Sequence, residues 1–224
     1  MCGRSSLTKT EKELEERFRA TFYSEDLERY NPLPNYNVAP THMHPVITQE
    51  EPHTIHLYRW GLIPFWAKDM KIGASMINAR IETIEEKPAF RQAFLKRRCI
   101  VPFDGYYEWM KTPEGKIPYR IKLKNTEIFT IAGLYETWKS PEKNIVHSFT
   151  LITKAADPLI AHLHDRMPFI LLPEQEQLWL DANVPTKDVL ENITPVPGDY
   201  ISWYRVSNRV NNVRENDAEL VLPV

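Results

Sequence analysis

A chain of 224 residues, 42% hydrophobic and 26% charged, has the size and composition of one folded domain with a sizeable core, or at most two small ones. It holds no apolar run near the roughly 20 residues of a membrane span, and it lacks a secretory pattern, so no membrane partner and a cytoplasmic location are expected. Two cysteines cannot frame a disulfide scaffold, and a net charge of −2 leaves out the broadly basic surface typical of duplex-coating proteins.

In chain order, residues 7–20 predict an amphipathic helix: Thr8 and Glu11 have capping-box spacing, and Leu14 and Phe18 lie one turn apart. Residues 31–45, rich in Pro and Asn, predict a surface loop, and residues 55–60 a strand. Residues 88–98 predict a helix with Pro88 in its first turn and Phe90 and Phe94 on one face. Strands are predicted at 99–103, 119–124, 128–135, 146–153 and 169–172, with a late one at 200–206. Asp157-Pro158 has the form of an N-cap and first position of a short helix through His162, and helices are predicted at 174–182 and 187–192. Central strands with helices around them imply an α+β fold rather than a βαβ series. No repeat, linker or Gly-rich phosphate loop appears, and the whole span 1–224 is expected to form one domain.

Chemistry-bearing residues collect in four distant segments: Met1-Cys2-Gly3-Arg4, Ile77-Asn78-Ala79-Arg80, Gly105-Tyr106-Tyr107-Glu108-Trp109 and His162-Leu163-His164-Asp165-Arg166. Cys2 is small enough for methionine aminopeptidase to remove Met1. The exposed residue would then carry an amine and a thiol on adjacent carbons. An α-amine with a pKa near 7.7–8.0 is roughly a tenth unprotonated at neutral pH, far more than a lysine, and so forms imines readily. The thiol can close on the imine carbon to give a thiazolidine, with the advantage of intramolecular reaction. The bland alternative is an ordinary loose terminus. Glu108, among aromatics, would have a raised pKa if partly buried, and His164 titrates near neutrality. Their bland alternatives are a surface carboxylate on a strand end and a structural histidine. Asn78 could orient a hydroxyl or carbonyl, or stabilise a turn. Arg80 and Arg166 could hold phosphates, or be salt-bridged. Phe65 and Trp66 could stack on bases, or join the core.

Taken together, the segments resemble the SRAP (SOS-response-associated peptidase) family of abasic-site processing proteins. The matching text is MCGR at the start, YNVAPT at 36–41, WGLIPFWAKD at 60–69, INARIET at 77–83 and RRCIVPFDGYYEW at 97–109. It continues with AGLYETW at 132–138, FTLITKAAD at 149–157, HLHDRMP at 162–168 and VSNRVNNV at 206–213. The resemblance implies a single compact α+β domain with curved, barrel-like sheets and surrounding helices. It implies Cys2 as the nucleophile that joins the C1′ aldehyde of an abasic site, Asn78 as the group that positions the sugar, Glu108 as acid/base, and His164 as promoter of ring opening. Arg4, Arg80 and Arg166 would contact flanking phosphates, and Trp66 would shape the DNA surface. The implied partner is single-stranded DNA with abasic sites, or single-strand/duplex junctions, bound by a monomer without cofactor or metal, at the nucleoid if the cell is bacterial. Ser5 stands where the family usually has an aromatic residue, and residues 70–74 look variable.

Three other readings compete. A thiol peptidase, or self-removal of Met1, would draw on Cys2, His164 and Glu108. Non-covalent reading of modified bases would use Trp66 and the arginines. A metal site at His42/His44 and His162/His164 lacks the companion thiolates of a typical zinc centre. An imine that failed to close could also undergo β-elimination, giving weak lyase activity.

Overall fold

The computed structural model describes residues 3–224. The chain runs β1 (Ser5–Leu7), α1 (Glu11–Phe18), β2 (Thr21–Phe22), α2 (Ser24–Arg29), β3 (Asn35–Val38), β4 (Met43–Thr48), β5 (Thr54–Trp60) and β6 (Asn78–Arg80). It continues α3 (Pro88–Lys96), β7 (Arg98–Phe103), β8 (Gly105–Thr112), β9 (Gly115–Leu123), β10 (Phe129–Lys139), β11 (Ile145–Ala155), β12 (Arg166–Pro168) and β13 (Ile170–Leu171). Helices α4 (Pro173–Leu180) and α5 (Thr186–Asn192) precede β14 (Ile201–Arg205). No helix among the described residues is long and apolar enough to cross a membrane.

One sheet has the order β14-β9-β8-β1-β3; the other runs β12-β11-β10-β7-β4-β5-β2. In the second, β11 also pairs in parallel with β5, Ser148 opposite Arg59 and Phe149 opposite Trp60. That pairing closes β5, β4, β7, β10 and β11 into a ring, which removes the open strand edges a flat sheet would expose. The period of two along each strand sorts the apolar side chains. On β7, Cys99, Val101 and Phe103 join one buried cluster with Trp60, Ile131, Phe149 and Leu151, whereas Ile100 joins another. The second cluster holds Leu14, Phe94, Trp179 and Val189, so α1, α3, α4 and α5 cover that face. The result is the expected α+β fold, a barrel-like core with helices around it.

Several local expectations change. Leu7 belongs to β1, and the helix starts four residues later because Asp104 accepts the backbone N–H of Thr8 (2.8 Å) and also its hydroxyl. The capping box is Thr10 with Glu13, closed by Glu13 N–H to Thr10 Oγ1 (3.3 Å) and Thr10 N–H to Glu13 Oε2 (2.8 Å). The expected loop at 31–45 contains β3 and the start of β4, since Asn35 and Asn37 use their amides inside the protein instead of turning the chain at its surface. Helix α3 ends at Lys96, and buried Arg98 opens β7 while donating to the carbonyls of Trp179 (2.7 Å) and Asp181 (2.6 Å). Asp157 accepts the Leu159 N–H (3.0 Å) as a cap would, but the segment after it forms turns rather than a helix.

The start of the described chain is anchored by a buried polar cluster. Ser6 Oγ donates to Asp104 Oδ1 (2.6 Å), and Arg120 reaches both Asp104 Oδ1 (2.9 Å) and Tyr204 Oη (3.0 Å). Gly105 lies against this guanidinium; a Cβ there would stand 2.6 Å from Arg120 Nε. Removing the carboxylate strands a buried cation, which costs about 3–5 kcal/mol. Asp104→Ala is therefore expected to lower the urea midpoint sharply, and an unchanged midpoint would show the pair to be unimportant. Ser5, where an aromatic was expected, is fully buried between Val38 of β3 and Tyr106 of β8.

Candidate active site

One cleft of about 460 Å³ is lined by Glu108, Trp109 and Lys111 of β8, Lys116 of β9, His164 and Asn211. Glu108 sits on β8 opposite Tyr119 of β9 and is 3% exposed. Burial pushes its carboxyl up to about 7, so at neutral pH it both holds and releases a proton. This overturns the surface-carboxylate alternative. The neighbouring Tyr107 N–H donates to the Arg4 carbonyl (2.9 Å), so β8 runs beside the N-terminal segment just before it reaches Glu108. Cys2 itself lies outside the described residues.

His164 stands in the turn ahead of β12. Its Nδ1, when unprotonated, accepts the Arg166 backbone N–H (3.0 Å). When the ring takes a second proton, Asp165 Oδ1 lies 2.8 Å from Nδ1 to receive it. Partial burial lowers the His164 pKa, which favours the neutral ring. Asn78 and Arg80 lie at alternate positions of β6 and so share a face of the strand; they pair in parallel with Leu151 and Thr153 of β11. Arg80 is exposed.

Arg166 differs from the simple picture of a phosphate contact. Its guanidinium meets Glu82 through two bonds (2.7 and 2.9 Å) and donates to the Thr153 carbonyl (2.7 Å). Arg4 likewise donates to Asn37 Oδ1 (2.8 Å) and the Val210 carbonyl (2.6 Å), with its guanidinium over the Trp109 ring. Buried Asn37 also donates to the carbonyls of Asn212 (3.0 Å) and Glu215 (2.9 Å), tying the C-terminal segment to the N-terminal one. Sequence reasoning missed Asn37 as an individual, although it lies within the quoted YNVAPT text. It also missed Lys111 and Lys116, whose apposition was encoded by the turn signal Pro113-Glu114-Gly115 between them.

Phe65 and Trp66 are 58% and 50% exposed, not core. They ride a loop closed at its base where Gly61, at φ +115°, meets Gly73; a Cβ on Gly61 would stand 2.5 Å from the Gly73 carbonyl oxygen. The Trp138 indole N–H holds the Ala67 carbonyl (2.7 Å), so the loop is fixed while its aromatic tip faces water.

The paired histidines have separate roles. Buried His44 engages the Pro102 carbonyl through Nε2 (2.8 Å) and stacks on Phe103, and burial lowers its pKa to about 4. His42 accepts the Ala39 N–H (3.3 Å), and His162 meets Trp203 edge-on. Among the described residues no three His, Cys, Asp or Glu side chains gather at a potential metal site. Cys99 is buried with its pKa raised by that burial, the environment of an inert thiol.

A barrel-based α+β domain with a buried acid and a histidine lining one cleft defines a distinct class. The chain belongs to the SOS response associated peptidase (SRAP) family, whose model matches residues 1–213. It is 42% identical over 224 residues to abasic site processing protein YoqW of Bacillus subtilis (strain 168), covering 99% of each chain. It is 31% identical over 233 residues to abasic site processing protein YedK of Escherichia coli (strain K12), covering 100% of each. A crystal structure of a Bacteroides thetaiotaomicron protein superposes with a TM-score of 0.91 at 29% identity, covering 100% of both chains.

Proposed function

We propose that this protein recognises abasic sites in single-stranded DNA, including the single-stranded side of junctions, and shields them by a covalent link through Cys2 once Met1 is removed. The observation that carries the reading is the cleft in which a buried carboxyl poised at about 7 accompanies His164, beside the strand that leads back to the N-terminus. The names of the relatives agree with an abasic substrate.

In the proposed sequence the Cys2 α-amine adds to the C1′ aldehyde of the ring-opened sugar. The carbinolamine hydroxyl leaves as water, taking its proton from Glu108 in the acid form. Sγ then bonds to C1′ as the C=N π electrons move to nitrogen, and the thiol proton ends on that nitrogen. His164 carries protons for sugar opening, and Asn78 orients the sugar. Arg80 is exposed for a phosphate. Arg4 and Arg166 hold the walls through Asn37 and Glu82, and would contact DNA with whatever donors those bonds leave.

The test is a denaturing gel after incubation with an oligonucleotide bearing one abasic site. A retarded band is expected with the aldehyde and not with an intact strand or a tetrahydrofuran analogue, which has no aldehyde. Equal retention of all three only under native conditions would instead establish a non-covalent reader. Trp66 supplies a separate prediction. Stacking of a base on an exposed ring contributes about 1–3 kcal/mol. Trp66→Ala is therefore expected to weaken single-strand binding by roughly tenfold or more while the thermal midpoint stays near that of the parent. Unchanged affinity by fluorescence anisotropy would remove Trp66 from the DNA surface.

A further inference from the structure

Strands β8 and β9 form a hairpin in which Thr112 pairs with Gly115 and Lys111 pairs directly with Lys116. Like charges opposite each other across a ladder destabilise it. Among the described residues neither ammonium has a carboxylate partner within 4 Å, a condition shared by most lysines of the chain; what sets this pair apart is the direct apposition. Both lysines are exposed, and both line the cleft that holds Glu108 and His164. Lys111 and Trp109 occupy alternate positions of β8 and share its face, and the Trp109 ring is fixed by its N–H to Asn211 Oδ1 (2.7 Å) with Arg4 over it. Lys111 and Lys116 thus bring two positive charges to the cleft beside Trp109, on whose ring the Arg4 guanidinium lies, in a chain whose overall charge is −2. The Lys111 charge also acts on His164, lowering its pKa alongside burial.

An apposition that costs the hairpin stability and meets no carboxylate among the described residues has its charge available for an anion that comes and goes. We propose that Lys111 and Lys116 form a phosphate clamp for the backbone of the single strand as it passes Glu108. This assignment rests on the DNA reading above and extends it to residues outside the motifs that define the family resemblance. The clamp holds backbone rather than sugar, so it governs binding and leaves the bond-forming step to Glu108, His164 and Cys2.

The test uses the full chain and an intact oligonucleotide without an abasic site, with affinity measured across salt concentrations. Each single-strand phosphate that a protein neutralises adds about 0.7 to the slope of log K against log salt. Lys111→Gln/Lys116→Gln is expected to reduce the slope by about 0.7 to 1.4 and to weaken binding by roughly three- to tenfold near 0.1 M salt. Its thermal midpoint should equal or exceed that of the parent, because the like-charge pair is gone. The control Lys12→Gln/Lys187→Gln removes the same charge from α1 and α5. An unchanged slope in the cleft variant overturns the clamp, as does an equal fall in the control, which would mark a general charge effect. With an abasic oligonucleotide at saturation, a hundredfold fall in the crosslinking rate constant of the cleft variant would move the lysines into the chemistry and overturn the clamp as stated. A wild-type protein that binds and shows the lysine-dependent slope, yet never crosslinks, would sink the Cys2 chemistry and leave the clamp standing.

Discussion

Cys2→Ala is expected to abolish the denaturation-resistant complex with abasic single strands. The variant keeps an α-amine, so an imine still forms, but no thiol remains to close the ring. The gain from intramolecular capture is lost, and the stable adduct should fall by roughly a hundredfold or more. Strand scission by β-elimination should rise correspondingly, because the imine now persists on the sugar. Borohydride should trap that imine in Cys2→Ala as a stable amine. A second variant, with one residue added ahead of Cys2 so that its nitrogen becomes an amide, should give neither adduct nor trapped imine. A strong crosslinked band in either variant without reductant would exclude the aminothiol. So would active protein whose intact mass still includes Met1.

Glu108→Gln is expected to lower the crosslinking rate by roughly 10²–10⁴, the usual contribution of a positioned acid or base. The pH profile should change shape as well. In the parent the amine must be unprotonated, which is favoured as pH rises toward 8, while Glu108 must hold its proton, which is favoured below about 7. The product of the two fractions gives a bell with its maximum between them. Glutamine removes the alkaline limb, leaving a rate that rises with pH until the amine is fully unprotonated. A bell-shaped profile retained in Glu108→Gln would assign that limb to another group.

The same carboxyl has a measurable effect on stability. Its folded-state pKa, about 7, is raised above the ordinary 4.5 by burial, so the folded protein holds a proton that the unfolded chain has already released. Stability is therefore fully present below pH about 4.5, falls as pH rises toward 7, and levels off above. The displacement corresponds to about 3 kcal/mol. Urea midpoints of parent and Glu108→Gln should converge at low pH and diverge at pH 8, with the variant the more stable. Identical pH dependence in both proteins would contradict a carboxyl poised by burial. The expected divergence at pH 8 would mark the desolvated acid as a group held for chemistry at a cost in stability.

The β-branched and aromatic residues of 128–135 and 146–153, and the N1 proline of the helix at Pro88, are local properties, so strands β10 and β11 and helix α3 were legible without the fold. The motif text likewise identified Asn78, Glu108 and His164 as candidates before any geometry. Local rules misplaced the first helix, because the competitor for Thr8 was Asp104, 96 residues away. They also read β3 as loop, because its Asn side chains find partners as far off as Glu215.

The order of residues alone thus set the elements with strong local propensity and the chemical identity of the candidate groups. The folded arrangement was needed to settle which sheet wall carries each group, that Glu108 is buried enough to titrate near neutrality, that Trp66 is exposed, and that two lysines face one another across a hairpin. The physical reason is that periodicity and side-chain chemistry belong to neighbouring residues. Desolvation and charge apposition arise only when strands distant in sequence close into a barrel and bring their walls together.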